Sequence, residues 1–238
     1  MNKIYHYNIK KALLSRVIEN IEDFDISNLF LEGITKIGSG VFSKSKIEEI
    51  TFPDTLETIE DEAFASNSYL TKITIPESLT NISSTAFLEC PNLTNLNYLG
   101  TVENLISTNI LKDLFYNNSI KYRLYIKGTE LQTLSISKDI PENCFRGCLS
   151  LKNVNLNCKT IEAYAFADCS NIADLSIGSS VTSIGANAFS GCNILKNLEI
   201  GSTTISDNAF KSCSALENVI IKDTVQSIGR MAFNRCNI

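Results

Sequence analysis

Residues 169–192 read CSNIADLSIGSSVTSIGANAFSGC, and the same phrase recurs along the chain. Its anchor is the Phe of the Ala-Phe pair. Equivalent phenylalanines stand at Phe42, Phe64, Phe87, Phe145, Phe166, Phe189, Phe210 and Phe233, at spacings of 22, 23, 58, 21, 23, 21 and 23. Five residues before each is an isoleucine: Ile37, Ile59, Ile82, Ile140, Ile161, Ile184, Ile205 and Ile228. Three residues after it come Cys90, Cys148, Cys169, Cys192, Cys213 and Cys236. The first two repeats carry Ser45 and Asn67 there instead, and Cys144 replaces the usual Ala before Phe145. All are small side chains, compatible with the same fold. Self-similarity at a period of 20–50 residues is the signature of a solenoid, in which each repeat completes its core by stacking on the next.

Downstream of each Phe the chain alternates. In Leu195-Lys-Asn-Leu198-Glu-Ile200, Leu198 and Ile200 share one face while Asn197 and Glu199 share the other. That period of two predicts one half-buried strand per repeat. Stacked edge to edge, about nine coils of 21–23 residues form a parallel ladder on the order of 45 Å long. The Phe-to-strand interval is nine residues from Phe64 onward, whereas the return arc varies, with turn formers such as Pro53, Pro76, Gly178 and Gly201. The constant arc is therefore the packed one.

These residues resemble the BspA-like, or Treponema pallidum-type, leucine-rich repeats over about residues 26–98 and 129–238. The resemblance implies a β-rich leucine-rich repeat solenoid of the α/β horseshoe class. It also implies a surface or secreted protein with an adhesion-type role, its partner an unidentified protein, such as a host extracellular one.

Residues 1–25 are expected to form a helical cap, with Ile9, Leu13, Val17 and Ile21 on one face. Residues 26–238 are expected to form a single solenoid with an irregular coil at about 98–130. In that coil Val102, Leu105, Ile106, Ile110, Leu114 and Phe115 have helical spacing, and residues 122–126 read as a strand with Leu124 and Ile126 inward. The stretch is either a protruding binding element or a tolerated insertion. The chain stops at Ile238 directly after an Ala-Phe-x-x-Cys unit, so self-association through an uncapped C-terminal end is a second expectation.

Composition argues against several chemistries. Net charge is −5 without a basic stripe, which speaks against nucleic acid. No apolar run approaches the roughly 18 residues needed to cross a bilayer, and the N-terminus is a poor signal peptide. A single histidine, His6, leaves no Ser-His-Asp set and no base for a catalytic cysteine. The periodic cysteines read as a buried column of free thiols rather than metal ligands. No cofactor, metal or catalytic residue is expected. The sequons at Asn81, Asn92 and Asn117 are chance in a chain so rich in Asn, Ser and Thr. The candidate partner-binding face is the outward row of the strands: Lys72, Thr74, Asn95, Asn97, Asn153, Asn155, Asp174, Ser176, Asn197, Glu199, Asn218 and Ile220. A polar, largely uncharged row suits a wet, hydrogen-bonded interface.

Overall fold

The structure is a computed structural model that describes residues 33–108, 110–115 and 121–238. The cap expected at residues 1–25, and His6 within it, lie outside the described residues. The architecture is a parallel-strand solenoid of about eight turns, one for each Ile-x4-Phe unit. The described residues divide into two compact units: one takes 33–108, 110–115 and 125–129, the other 121–124 and 130–238.

In the first unit, the strands β1 (Lys36–Ile37), β3 (Thr58–Ile59) and β5 (Asn81–Ile82) form one short parallel ladder. The strands β2 (Glu49–Thr51), β4 (Lys72–Ile75) and β6 (Asn95–Tyr98) form a longer one, with Ile50, Ile73 and Leu96 in register. The irregular stretch follows. Thr101 caps helix α1 (Val102–Ser107), its hydroxyl accepting from the Asn104 N–H at 3.2 Å. Helix α2 (Ile110–Phe115) comes next and packs against β5. Leu105, Ile106, Ile110, Leu111 and Leu114 are all buried. The helical spacing is thus as the sequence indicates, and its apolar face is turned inward. Strands β7 (Arg123–Ile126) and β8 (Thr129–Glu130) complete the stretch. Leu124 is buried, whereas Ile126 is only half-buried.

The second unit repeats the plan. Strands β9 (Thr133–Ile136), β10 (Asn153–Leu156) and β12 (Asp174–Ile177) form one outward ladder, and β14 (Asn197–Ile200) and β16 (Asn218–Ile221) form another. On the opposite flank, β11 (Thr160–Ile161), β13 (Ser183–Ile184), β15 (Thr204–Ile205) and β17 (Ser227–Ile228) pair without interruption. Inward side chains are nearly inaccessible except in the last turn, where Ile221 and Ile228 are 43% and 49% exposed.

The Phe arc is a third kind of ladder. Phe42, Phe64 and Phe87 stack at 5.1 and 4.9 Å between centroids, and Phe145, Phe166, Phe189, Phe210 and Phe233 at 5.2–5.4 Å. These offset stacks bury large apolar surfaces and add about 0.5–1.5 kcal/mol per pair beyond burial. Two residues on either side of the Phe the backbone turns left-handed, as at Asn143, Gly147, Tyr164, Asp168, Asn187, Gly191, Asn208 and Ser212. Most of these residues are not glycine, and each carries the conformational cost of a side chain in that region. The arrangement accounts for the arc's backbone donors. The N–H groups of Tyr164, Phe166 and Asp168 donate to Ala186, Ala188 and Ser190 in the next coil at 2.9, 2.7 and 2.7 Å. Those of Ala165, Ala167 and Cys169 close turns within their own coil.

The cysteine column has a specific role at this arc. The thiol of Cys169 donates to the carbonyl of Phe145, one coil back, at 2.9 Å, and Cys90, Cys192, Cys213 and Cys236 repeat the contact on Phe64, Phe166, Phe189 and Phe210 at 3.1, 3.6, 3.3 and 3.2 Å. Asn67 fills the position by a different device. Its buried amide donates to both the Phe42 and Phe64 carbonyls at 2.7 and 2.6 Å, and its oxygen accepts from Ser45. Ser45 and Asn67 are therefore a matched polar pair, more than two tolerated small side chains.

Candidate functional site

The outward row is built by the alternation of each strand, which turns every second side chain away from the core. Its members differ between the units. In the first, Lys72 is half-buried and reaches Glu49 at 3.1 Å, and Thr74 is 7% exposed. Asn95 donates weakly to the Thr71 carbonyl at 3.4 Å. Asn97 is tied to the irregular stretch, its oxygen accepting from the Gly128 N–H at 2.9 Å. Part of this row serves the fold.

In the second unit the row stands clearer. Register places Thr133, Asn153 and Asp174 side by side, and Ser135, Asn155 and Ser176 beside one another. Asn153 and Asn155 reach Thr133 and Ser135 at 3.5 and 3.3 Å. Asn197 pairs with Asn218, whose amide donates to its oxygen at 2.9 Å, and Glu199 lies opposite Ile220. Glu199 also meets Lys222 at 2.5 Å. Asn155, Asp174, Ser176, Asn197, Glu199 and Asn218 are exposed, and Ile220 is 60% exposed. An open groove of about 510 Å³ runs along this part of the face, bordered by Ser176, Asn197, Glu199 and Ile220 and floored by Leu175 and Leu198.

Most of the thiols are held protonated and so are poor nucleophiles; Cys213 is the exception, lowered by its hydrogen bond with Cys192. Burial pushes Cys90 and Cys236 up to about 11 and raises Cys144, Cys148 and Cys169 as well. All eight cysteines are free. Among the described residues no cluster of three His, Cys, Asp or Glu side chains is placed to hold a metal ion, and no helix is long and apolar enough to cross a membrane. What the face offers is hydrogen-bond donors and acceptors in register, with one apolar contact at Ile220.

Two asparagines have a structural role beyond what the sequence assigns, where Asn92 is only a chance sequon. Asn92 and Asn171, two residues after the column cysteines, donate to the Ser68 and Leu149 carbonyls at 2.7 and 2.8 Å. Their shared place in the repeat was the signal available.

Solved structures that match the chain include leucine-rich repeat proteins. One from Bacteroides ovatus is 23% identical with a TM-score of 0.51, covering 86% of this chain and 62% of its own. A leucine-rich cell surface protein from Faecalibacterium prausnitzii is 25% identical with a TM-score of 0.48, covering 80% and 58%. The chain thus spans about three fifths of the length of these two. The leucine-rich repeat protein of T. pallidum is 19% identical with a TM-score of 0.39, covering 78% and 75%. No curated protein matches. The family model described as BspA type leucine-rich repeat region matches residues 5–121 and 108–238, in six copies, and the chain belongs to that family.

Proposed function

We propose that the chain is a non-catalytic, protein-binding scaffold of the surface or adhesion type, and that it binds through the outward strand face of its second unit. The observation that carries this is the pair of in-register rows on β10–β12 and β14–β16, mostly polar and exposed, where the row of the first unit includes the buried Thr74 and the half-buried Lys72, Asn95 and Asn97. Repeat proteins commonly present such a row as one extended surface. The buried thiols and the absence of a nucleophile–base pair among the described residues favour binding over chemistry.

The test is to screen the immobilised chain against purified extracellular-matrix proteins and measure the affinity of any binder for a variant with Asn153, Asp174, Asn197 and Asn218 all changed to Ala. A loss of tenfold or more supports this face. Unchanged affinity removes it.

A further inference from the structure

The outward ladder of the second unit is interrupted once. β10 pairs with β12, and β14 with β16, but β12 and β14 fall in separate sheets. The same two coils stay joined elsewhere. Ser183 and Ile184 pair with Thr204 and Ile205, Phe166 stacks on Phe189 at 5.2 Å, and the Phe166 N–H donates to Ala188 at 2.7 Å. The two strands stay adjacent on this side without ladder bonds between them, and the coils are bonded or stacked on the other two.

Neighbouring coils show which groups this leaves bare. The Asp174 N–H donates to the Lys152 carbonyl and the Gly178 N–H to that of Leu156. By the same register β14 turns the N–H groups of Asn197, Glu199 and Gly201 and the carbonyls of Asn197 and Glu199 to the break, and β12 turns the carbonyls of Ala173, Leu175 and Ile177 and the N–H groups of Leu175 and Ile177. The groove of about 510 Å³ lies over this break. Its floor is opened slightly on the β12 side, where Leu175 and Ile177 are 8% and 9% exposed, while Leu198 and Ile200 on the β14 side stay at 3% and 0%. Its rim holds Ile220, the apolar residue of an otherwise polar row.

We propose that this break is a slot for an extended peptide, which pairs its backbone with the free edges of β12 and β14 and rests an apolar side chain on Ile220. This rests on the binding reading above and names the partner's form. Two bare rows of alternating donors and acceptors are complementary to a polypeptide strand, and backbone pairing of this kind gives affinity while side-chain contacts give selectivity. Seating the peptide separates β12 from β14 to about 10 Å, twice the ladder spacing. The Ile184–Ile205 and Phe166–Phe189 contacts act as the hinge.

Proline substitution tests it, because proline is tolerated where a strand N–H is unpaired and disruptive where it is bonded. Glu199 faces the break, whereas Ser176 sits in the paired rung opposite Asn155. Glu199→Pro is expected to melt close to the wild type and Ser176→Pro well below it. Linear dodecapeptides selected from a displayed library on the wild-type chain are expected to bind Glu199→Pro at least tenfold more weakly than Glu199→Ala, which lacks the same side chain but keeps the N–H. Equal destabilisation by the two prolines overturns the proposal, because the rung is then paired in solution. Failure to select any peptide, or peptides indifferent to Glu199→Pro, overturns it too. If a matrix partner is lost on the four-alanine face variant but not on Glu199→Pro, the slot is wrong and the binding face stands.

Discussion

The outward ladder runs unbroken from β2 through β4 to β6 in the first unit and is split between β12 and β14 in the second. Both sets of coils nonetheless keep their Phe stacks and their short Ile strands. Cohesion between coils is thus divided among three ladders, and the strand ladder can be given up at one rung. The first unit uses its strand face to hold itself together, through Lys72–Glu49 and Asn97–Gly128. In the second, the outward side chains bond mainly to one another along the face and stay exposed.

The sharpest way to break this comparison is at the Phe column. Phe166→Ala removes a stack at the very rung where the strand ladder is missing, and should cost about 3–5 kcal/mol. Phe64→Ala, in an intact rung, should cost no more. Denaturant unfolding of both variants checks this, and a clearly larger cost for Phe64→Ala would mean that the broken rung is no weak point.

The next effect sets Asn67 against Cys169. Asn67→Ala leaves the Phe42 carbonyl and the Ser45 hydroxyl without their partner and the Phe64 carbonyl with the Cys90 thiol alone, a loss of about 2–3 kcal/mol. Cys169→Ala removes one thiol bond and a small volume, about 1 kcal/mol. Thermal melts of the pair should separate by several degrees.

The turn two residues after the Phe gives a smaller contrast. Gly191 has φ of 80°, and an added Cβ would lie 2.8 Å from the Asp168 carboxylate, so Gly191→Ala should cost about 1–2 kcal/mol. Lys44 holds the same place in the first unit at φ of 56° and is exposed, so Lys44→Gly should stabilise by up to about 1 kcal/mol. A gain from Gly191→Ala would show that the turn is not held left-handed.

The gentlest probe is pH. Burial raises Cys90 from 9.0 to about 11, favouring its protonated form in the fold. The contribution is complete below pH 9 and declines as pH rises toward 11, because the unfolded chain ionises first. The melting temperature should fall across that window, and less so in Cys90→Ala.

The sequence carried the columns openly, because Phe, Ile and Cys each fill one repeated interior position. It did not carry the break between β12 and β14. The Phe166-to-Phe189 spacing of 23 also occurs between Phe64 and Phe87, where the ladder is whole. Nor did it show the left-handed turns, since Tyr164, Asp168 and Asn187 lack the glycine that marks such positions. The helical pattern at residues 102–115 was visible. That its apolar face turns into the first unit depended on tertiary contacts with β5. The outward row was legible as a row. Which members are free to meet a partner depended on neighbours distant in sequence, such as Gly128 beside Asn97.

The Phe arc also has an electrostatic direction. At Asn143, Phe145 and Gly147, and again at Asn187, Phe189 and Gly191, every inter-coil N–H points to the higher-numbered coil. Bonds across a paired β-sheet run both ways and their dipoles largely cancel. Here they add from coil to coil, as they do along an α-helix, with the positive pole toward higher residue numbers. The repeat thus behaves along this edge like a slender polarised rod, and an anion meeting it is drawn toward one pole before any side chain is consulted.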